Sequence, residues 1–210
     1  DKDKDKDKDK EKFNFSLINS ASGQAALSLK VHPDEQGVWV VQGELGITKA
    51  ALKLDKLDPP VEDLAGVIEF NQQGFNWKDT KFKYQGTKYQ SSGTLFDFKA
   101  PNINLELLSE NLSLGADFNL SGNKIKVNQL KGKYFDSQFL VSGDIDNFDP
   151  ANLKIDLGGN IIFELGKLGL MLDKFYPAIK SLHSAGQLEM QFNFNGNPNN
   201  FTNCYLQAKL

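Results

Sequence analysis

The sequence contains few of the residues that build most catalytic and metal sites. Its 210 residues include one cysteine, Cys204, and two histidines, His32 and His183. A single cysteine forms neither an intrachain disulfide nor a CxxC motif, and the histidines stand apart from each other and from clustered carboxylates. We therefore predict that Cys204 is a small strand residue and that both histidines are surface or loop residues. Because hydrolase, nucleotide-loop and zinc-protease motifs are also missing, the sequence predicts no enzyme.

An excess of one charge and long apolar runs are lacking as well. The net charge is −3 and the charged residues are interspersed, which excludes the basic surface that attracts nucleic acid. No run approaches the roughly 20 apolar residues of a membrane span, and the chain opens on charge rather than on a signal peptide. Residues 1–12 alternate acid and base and predict a solvated linker or loop. Because the chain stops inside an alternating pattern, we interpret it as an internal fragment, with any leader or anchor outside it.

Alternating apolar and polar residues dominate the chain from Phe13 onward. This period of two predicts β-strands with one buried face. Turns are predicted at residues 19–23 and 32–37, a strand pair within residues 43–57, and an irregular connection at Pro59-Pro60. Apolar residues at three and four residue steps predict one helix, at about residues 165–182, limited by Pro177. The predicted fold is all-β with one short helix.

The most informative pattern is an internal repeat of about fifty residues. Residues 65–107 match residues 115–157 without a gap, so that Phe75 falls on Ile125 and Tyr84 falls on Tyr134. The repeat predicts about five strands per unit. The units cover roughly residues 13–65, 66–115 and 116–165, and a partial unit covers residues 185–210. What repeats is the alternation and the glycine turn, which indicates a structural rather than a catalytic unit.

The alternation places many large apolar side chains on one face of the predicted sheet, and one short helix does not suffice to cover them. Monomers rarely expose a contiguous apolar patch above a few hundred Å². The sheet must therefore fold into a sandwich, close into a barrel or curl into a trough for an apolar ligand, and the open-ended repeat favours the trough. The side chains predicted to bind lipid there are Ile68, Phe70, Phe75, Trp77, Phe82, Tyr84, Phe96, Phe98, Ile103, Leu105, Leu107, Phe118, Leu120, Ile125, Val127, Phe139, Val141, Leu153, Ile155, Leu157, Leu188, Met190 and Phe192.

An acidic segment offers the main candidate for a metal site. Asp144, Asp146 and Asp149 lie close together in the sequence, and carboxylate oxygens are the ligands that calcium prefers. The spacing differs from that of an EF-hand, so a turn capped by Asp side chains is the favoured interpretation.

Two segments resemble a known family. In residues 57–70 a double proline is followed by an apolar residue, acidic residues, Leu, Gly and an apolar strand. In residues 131–148 a glycine-containing strand leads to Ser-Gly, another strand and Asn-Phe. This pattern resembles the AsmA-like family of bacterial envelope proteins, which includes TamB-type and YhdP-type members, over about residues 13–210. The resemblance implies an elongated, twisted, mostly antiparallel sheet curled into a repeating β-groove.

The resemblance also implies a function. AsmA-like proteins are implicated in moving phospholipids between the inner and outer membranes, so the expected role is non-enzymatic transport of acyl chains in the groove. The implied location is the periplasm of a diderm bacterium, with an inner-membrane anchor outside this sequence. The expected partners are phospholipid or another acyl lipid and membranes, with no cofactor, metal or nucleic acid. The residues leave open a structural β-sandwich or solenoid module of a cell-surface or adhesin-like protein. A glycan-cleaving enzyme would need paired carboxylates in a cleft, which the repeat does not suggest.

Overall fold

The computed structural model describes residues 18–55, 57–147, 152–167, 185–198 and 205–209. These residues form twelve strands in one antiparallel sheet, and the strand order in space is the order in the sequence. Strands β1 and β12 are the two edges, so the predicted all-β fold is confirmed as a single open sheet. The strands are β1 Ile18–Pro33, β2 Trp39–Leu54, β3 Val61–Asn71, β4 Gly74–Tyr84, β5 Thr87–Phe96, β6 Asn102–Leu108, β7 Leu112–Ser121, β8 Lys124–Tyr134, β9 Ser137–Asp146, β10 Lys154–Glu164, β11 Gln187–Gly196 and β12 Tyr205–Lys209.

The first two strands are longer than the sequence predicts. The turn predicted at residues 19–23 is wrong, because these residues belong to β1, and Gly23 lies in a bulge with a φ of 123°. The strand pair predicted within residues 43–57 is also wrong, because one strand, β2, runs through to Leu54. Small residues such as Gly23 mark bulges as well as turns, so their identity alone does not separate the two. Pro59-Pro60 lies in the connection from β2 to β3, as predicted.

The fifty-residue repeat appears in the structure with four strands per unit rather than about five. Strands β3 to β6 correspond to β7 to β10, and the register shifts at the same place in β4, between Trp77 and Thr80, and in β8, between Val127 and Leu130. Each bulge moves the alternation by one residue, so one strand looks like two in the sequence. With neighbouring strands about 4.8 Å apart, one unit extends the sheet by about 19 Å.

No second layer of protein covers the sheet within the described residues. Each strand packs chiefly against its neighbours in the sequence, and Ala50 is the one buried apolar side chain in this part of the chain. Residues 165–167 form a short helical turn; the rest of the predicted helix, the charged linker at residues 1–12, Cys204 and His183 lie outside the described residues. Nowhere in the described ranges does a helix have the length and apolar character to cross a bilayer. The described sheet is held together by pairing between strands rather than by a conventional core.

Candidate functional site

One face of the sheet carries nearly all the large apolar side chains, and we call it the apolar face. The strand registers place Ile68 opposite Trp77, Trp77 opposite Gly93 and Gly93 opposite Leu105, so these side chains share one side. The same relation continues through Ala116 and across the following strands to β11. The apolar face therefore runs without interruption across at least eleven strands, which is about 50 Å at the usual strand spacing.

All but three of the residues predicted to bind lipid lie on the apolar face. Phe96 lies on the other face, because it pairs with Gly74 and Asn102, whose neighbours Phe75 and Ile103 occupy the apolar face. Phe98 and Leu153 lie outside the strands. The Phe98 ring nevertheless lies 6.3 Å from that of Phe75, centroid to centroid, at the margin of the apolar face.

The sequence analysis missed other members of the apolar face. The signal was present, since most of them continue the alternation of a predicted strand. The bulge in β8 hid the phase of Leu130, which follows it. The additional large residues include Leu27, Leu29, Val31, Trp39, Val41, Leu45, Ile47, Leu64, Tyr89, Leu95, Leu112, Leu114, Leu130, Tyr134, Ile145, Ile161, Phe163 and Phe194.

Within the described strands, the side chains of the apolar face are shielded by one another and not by a facing layer. The Phe75 and Trp77 rings lie 5.9 Å apart, and Phe82 stacks on Tyr89 at 5.3 Å, centroid to centroid. From β2 to β11 the large apolar side chains of this face are half-buried, and Trp39 and Tyr134 are exposed among them. Such contacts between neighbouring strands remove part of each side chain from water and leave its outer surface accessible.

The apolar face carries no formal charge at its paired positions in β1 to β11. All the paired Lys, Asp and Glu residues of these strands point to the opposite side, which we call the polar face. The chain's 24 cationic side chains are all lysines, and its two tryptophans, Trp39 and Trp77, both lie on the apolar face. This separation of charge from apolar surface is the main electrostatic feature of the sheet.

A small polar group, Thr80 on β4 and Ser91 on β5, is buried within the apolar face. Trp77 Nε1 donates a hydrogen bond to Ser91 Oγ at 2.9 Å, and both Ser91 and Thr80 are buried. Within the described residues, Thr80 Oγ1 is buried without a hydrogen-bond partner. Gly66 accommodates this hydroxyl, since a Cβ at Gly66 would lie 2.5 Å from Thr80 Oγ1.

We expect Thr80→Val to raise the free energy of unfolding by about 1 kcal/mol, because an unsatisfied buried hydroxyl is replaced by a methyl group of similar shape. Ser91→Ala is the matched change. It should lower the free energy of unfolding by about 1 to 2 kcal/mol, because the indole N–H of Trp77 then loses its acceptor. Urea denaturation of both variants measures the difference, and a loss of stability in Thr80→Val would contradict the assignment of an unpaired hydroxyl.

The polar face carries ion pairs instead of a cluster able to bind metal. Lys83 Nζ lies 2.5 Å from Asp63 Oδ2, and this hydrogen bond lowers the pKa of Asp63 and raises that of Lys83. Lys124 Nζ lies 3.4 Å from Asp144 and 3.6 Å from Asp146, and its pKa is raised, chiefly by its hydrogen bond with Asp144. A lysine ammonium is therefore paired with two of the three carboxylates considered for calcium, and the third, Asp149, lies outside the described residues. Among the described residues, no three His, Cys, Asp or Glu side chains form a group suited to a metal ion.

The polar face also has shallow hollows, which differ from the predicted trough. Two of them, of about 820 and 770 Å³, share Gly115 and Lys131 and mix polar side chains, such as Asp117 in the first and Gln138 in the second, with apolar ones. Mixed charge and small residues make these hollows poor surfaces for acyl chains. The apolar surface suited to such chains lies on the other side of the same strands.

Comparison with protein-family models, with curated proteins and with solved structures finds no match to this chain.

Proposed function

We propose that this chain is a non-enzymatic lipid-binding segment whose apolar face holds the acyl chains of a phospholipid or another acyl lipid. The observation that carries this proposal is the continuous, uncharged apolar face with no facing layer within the described residues. A surface of this extent in water favours an apolar occupant, because monomers rarely leave such areas exposed.

The energetics of lipid transfer fit this surface. A phospholipid outside a bilayer exposes about thirty methylene groups at about 0.8 kcal/mol each, which is more than 20 kcal/mol. Contact with Phe, Leu, Ile and Val side chains offsets much of that cost. Because the face lacks formal charge at its paired positions, it favours no single position of an acyl chain along the strands. The ligand can then slide across the repeating units while its head group stays in water.

The proposed setting follows from the resemblance to AsmA-like proteins. In that setting the segment lies in the periplasm of a diderm bacterium and carries phospholipid between the inner and outer membranes, with the membrane anchor outside these residues. The single sheet supports this setting better than the alternative of a structural sandwich, because the described strands form no second sheet to close over the first.

Trp77 provides a direct test, because it lies half-buried near the centre of the apolar face. In a Trp39→Phe variant, Trp77 is the sole tryptophan. We expect phospholipid brominated along its acyl chains to quench the fluorescence of Trp77. The same lipid without bromine should leave the emission unquenched and serves as the control. Lipid extraction and native mass spectrometry of the purified chain should reveal bound lipid in proportion to the quenching.

Two outcomes would overturn the proposal. The first is a purified chain that carries no lipid and shows no quenching when brominated lipid is supplied. The second is lipid that binds without quenching Trp77, which would place the ligand away from the apolar face.

A further inference from the structure

The free edge of β1 combines exposed apolar side chains with an open strand. Within the part of the chain that the structure describes, β1 pairs with β2 alone. Leu27 and Val31 are 60% and 55% exposed, whereas the residues opposite them on β2, Leu45 and Val41, are half-buried. In the described sheet, β2 has a neighbouring strand on both sides and β1 on one side only. A further strand beside β1 would therefore bury Leu27 and Val31 to the same degree as Leu45 and Val41.

The register decides which backbone groups of β1 point away from β2. The Asp34 amide donates to the Val38 carbonyl at 2.8 Å, and the pairing continues without a shift from residue 33 back to residue 24. Bonding alternates along an antiparallel pair, so every second residue directs its N–H and C=O to the free side. Those residues are Ala25, Leu27, Leu29 and Val31.

This edge lacks most features that keep sheet edges from pairing with other chains. Protective features include proline, charged side chains pointing to the apolar side and bulges. Residues 24–32 contain no proline, no acidic residue and no register shift, and their one lysine, Lys30, lies on the polar face. The edge is therefore suited to accept a strand along nine consecutive residues, 24 to 32.

We propose that two copies of this chain pair through β1, antiparallel, with the two-fold axis at Leu27. This register places Leu27 opposite its own copy, Ala25 opposite Leu29 of the second copy, and Gln24 opposite Lys30 of the second copy. On either side of the central Leu27 pair, Leu29 then meets the small Ala25, and no like charges meet. The pairs at Leu27 and on either side of it each exchange two hydrogen bonds, about six in total, within the range of specific interfaces.

A second copy fits this edge better than an unrelated strand does. In an antiparallel pair of two β1 strands, the small Ala25 of each copy lies opposite the large Leu29 of the other. A second copy therefore matches this edge in side-chain size. Because the axis is perpendicular to the sheet, both apolar faces lie on the same side. The result is one sheet of about 24 strands, whose apolar face spans at least about 100 Å.

A cysteine at the axis tests the register. In a Cys204→Ser background, Leu27→Cys should form a disulfide-linked dimer under mild oxidation, because bonded pairs have Cα atoms about 5.5 Å apart, within disulfide range. Ser28→Cys, the next residue, is the matched control. Residue 28 faces residue 26 of the second copy, so its own copy lies beyond the limit of about 7 Å and should not cross-link.

Proline substitutions separate the edge from the rest of the sheet. Leu29→Pro removes an N–H on the free side, so it should give a monomer in sedimentation with an unchanged circular dichroism spectrum. Lys30→Pro removes an N–H that bonds β2 and should lower the thermal midpoint. A monomeric parent chain at micromolar concentration, or a dimer that survives Leu29→Pro, would overturn the proposal. Dissociation of the dimer by Leu105→Asp as the single substitution would also overturn the proposal, since this substitution alters the apolar face and not the edge of β1.

Discussion

Changing Leu105 to Asp is expected to reduce acyl-lipid binding at least about tenfold while the sheet stays folded, because a charge in contact with an acyl chain costs several kcal/mol. Leu105 lies on β6, near the middle of the apolar face, and its neighbours there are Gly93 and Ala116. These small residues leave room for the carboxylate to stay in contact with water when no lipid is bound. Quenching of Trp77 by brominated lipid should fall in the same proportion.

Asn104→Asp is the matched control for Leu105→Asp. It introduces the same carboxylate one residue earlier, on the polar face, and Asn104 is exposed. We expect its lipid binding to equal that of the parent chain. Equal binding by both variants would show that lipid does not lie on the apolar face. If Leu105→Asp unfolds the chain and Asn104→Asp does not, a layer of protein covers this face in the native chain.

Changing Gly93 to Ala is expected to lower the free energy of unfolding by about 2 to 4 kcal/mol. A Cβ at this position would lie 2.6 Å from Cη2 of Trp77 and closer still to the carbonyl oxygen of Asn104. These groups belong to β4 and β6, on either side of β5, so the methyl group must displace the indole ring or separate the strands. Displacement of the ring would also break the hydrogen bond from Trp77 to Ser91.

Gly46→Ala tests whether the cost at Gly93 comes from this close packing. Gly46 also lies within a strand, but a Cβ there would meet its nearest atom, the carbonyl oxygen of Ala26, at 3.9 Å. We expect no loss of stability and a gain of up to about 1 kcal/mol from the reduced freedom of the unfolded chain. Urea denaturation compares both variants with the parent. Equal midpoints for the two variants would contradict the packing of Trp77 over Gly93.

Local alternation predicted most of the apolar face correctly. Phe75 and Trp77, and likewise Ile103 and Leu105, lie two residues apart, and the structure places both pairs on one side. The assignment of Phe96 was wrong, because Phe96 and Phe98 alternate like the residues of one strand, whereas β5 ends at Phe96. Its partner Gly74 shows the true phase, since Phe75 follows it on the apolar face.

The number of strands per unit could not be predicted from alternation alone. A bulge between Trp77 and Thr80 shifts the phase by one residue without ending β4, and a turn produces a similar break in the sequence. Which of the two occurs depends on whether the neighbouring strand continues past the break. That neighbour is β5, whose pairing from Thr87 to Phe96 spans the bulge.

The sequence by itself determined the strand type of the segments and the separation of apolar from polar residues, because these follow from residues a few positions apart. It also determined the period of fifty residues, because the same local pattern recurs along the chain. Only the tertiary structure decided that the strands form a single open sheet, that four of them make a unit and that β1 remains an edge within the described residues. The reason is physical. A second sheet, a helix or a ligand can each cover a strand that has one apolar face, and the local alternation is the same in all three cases. Which of them covers the strand depends on contacts between residues that are far apart in the sequence.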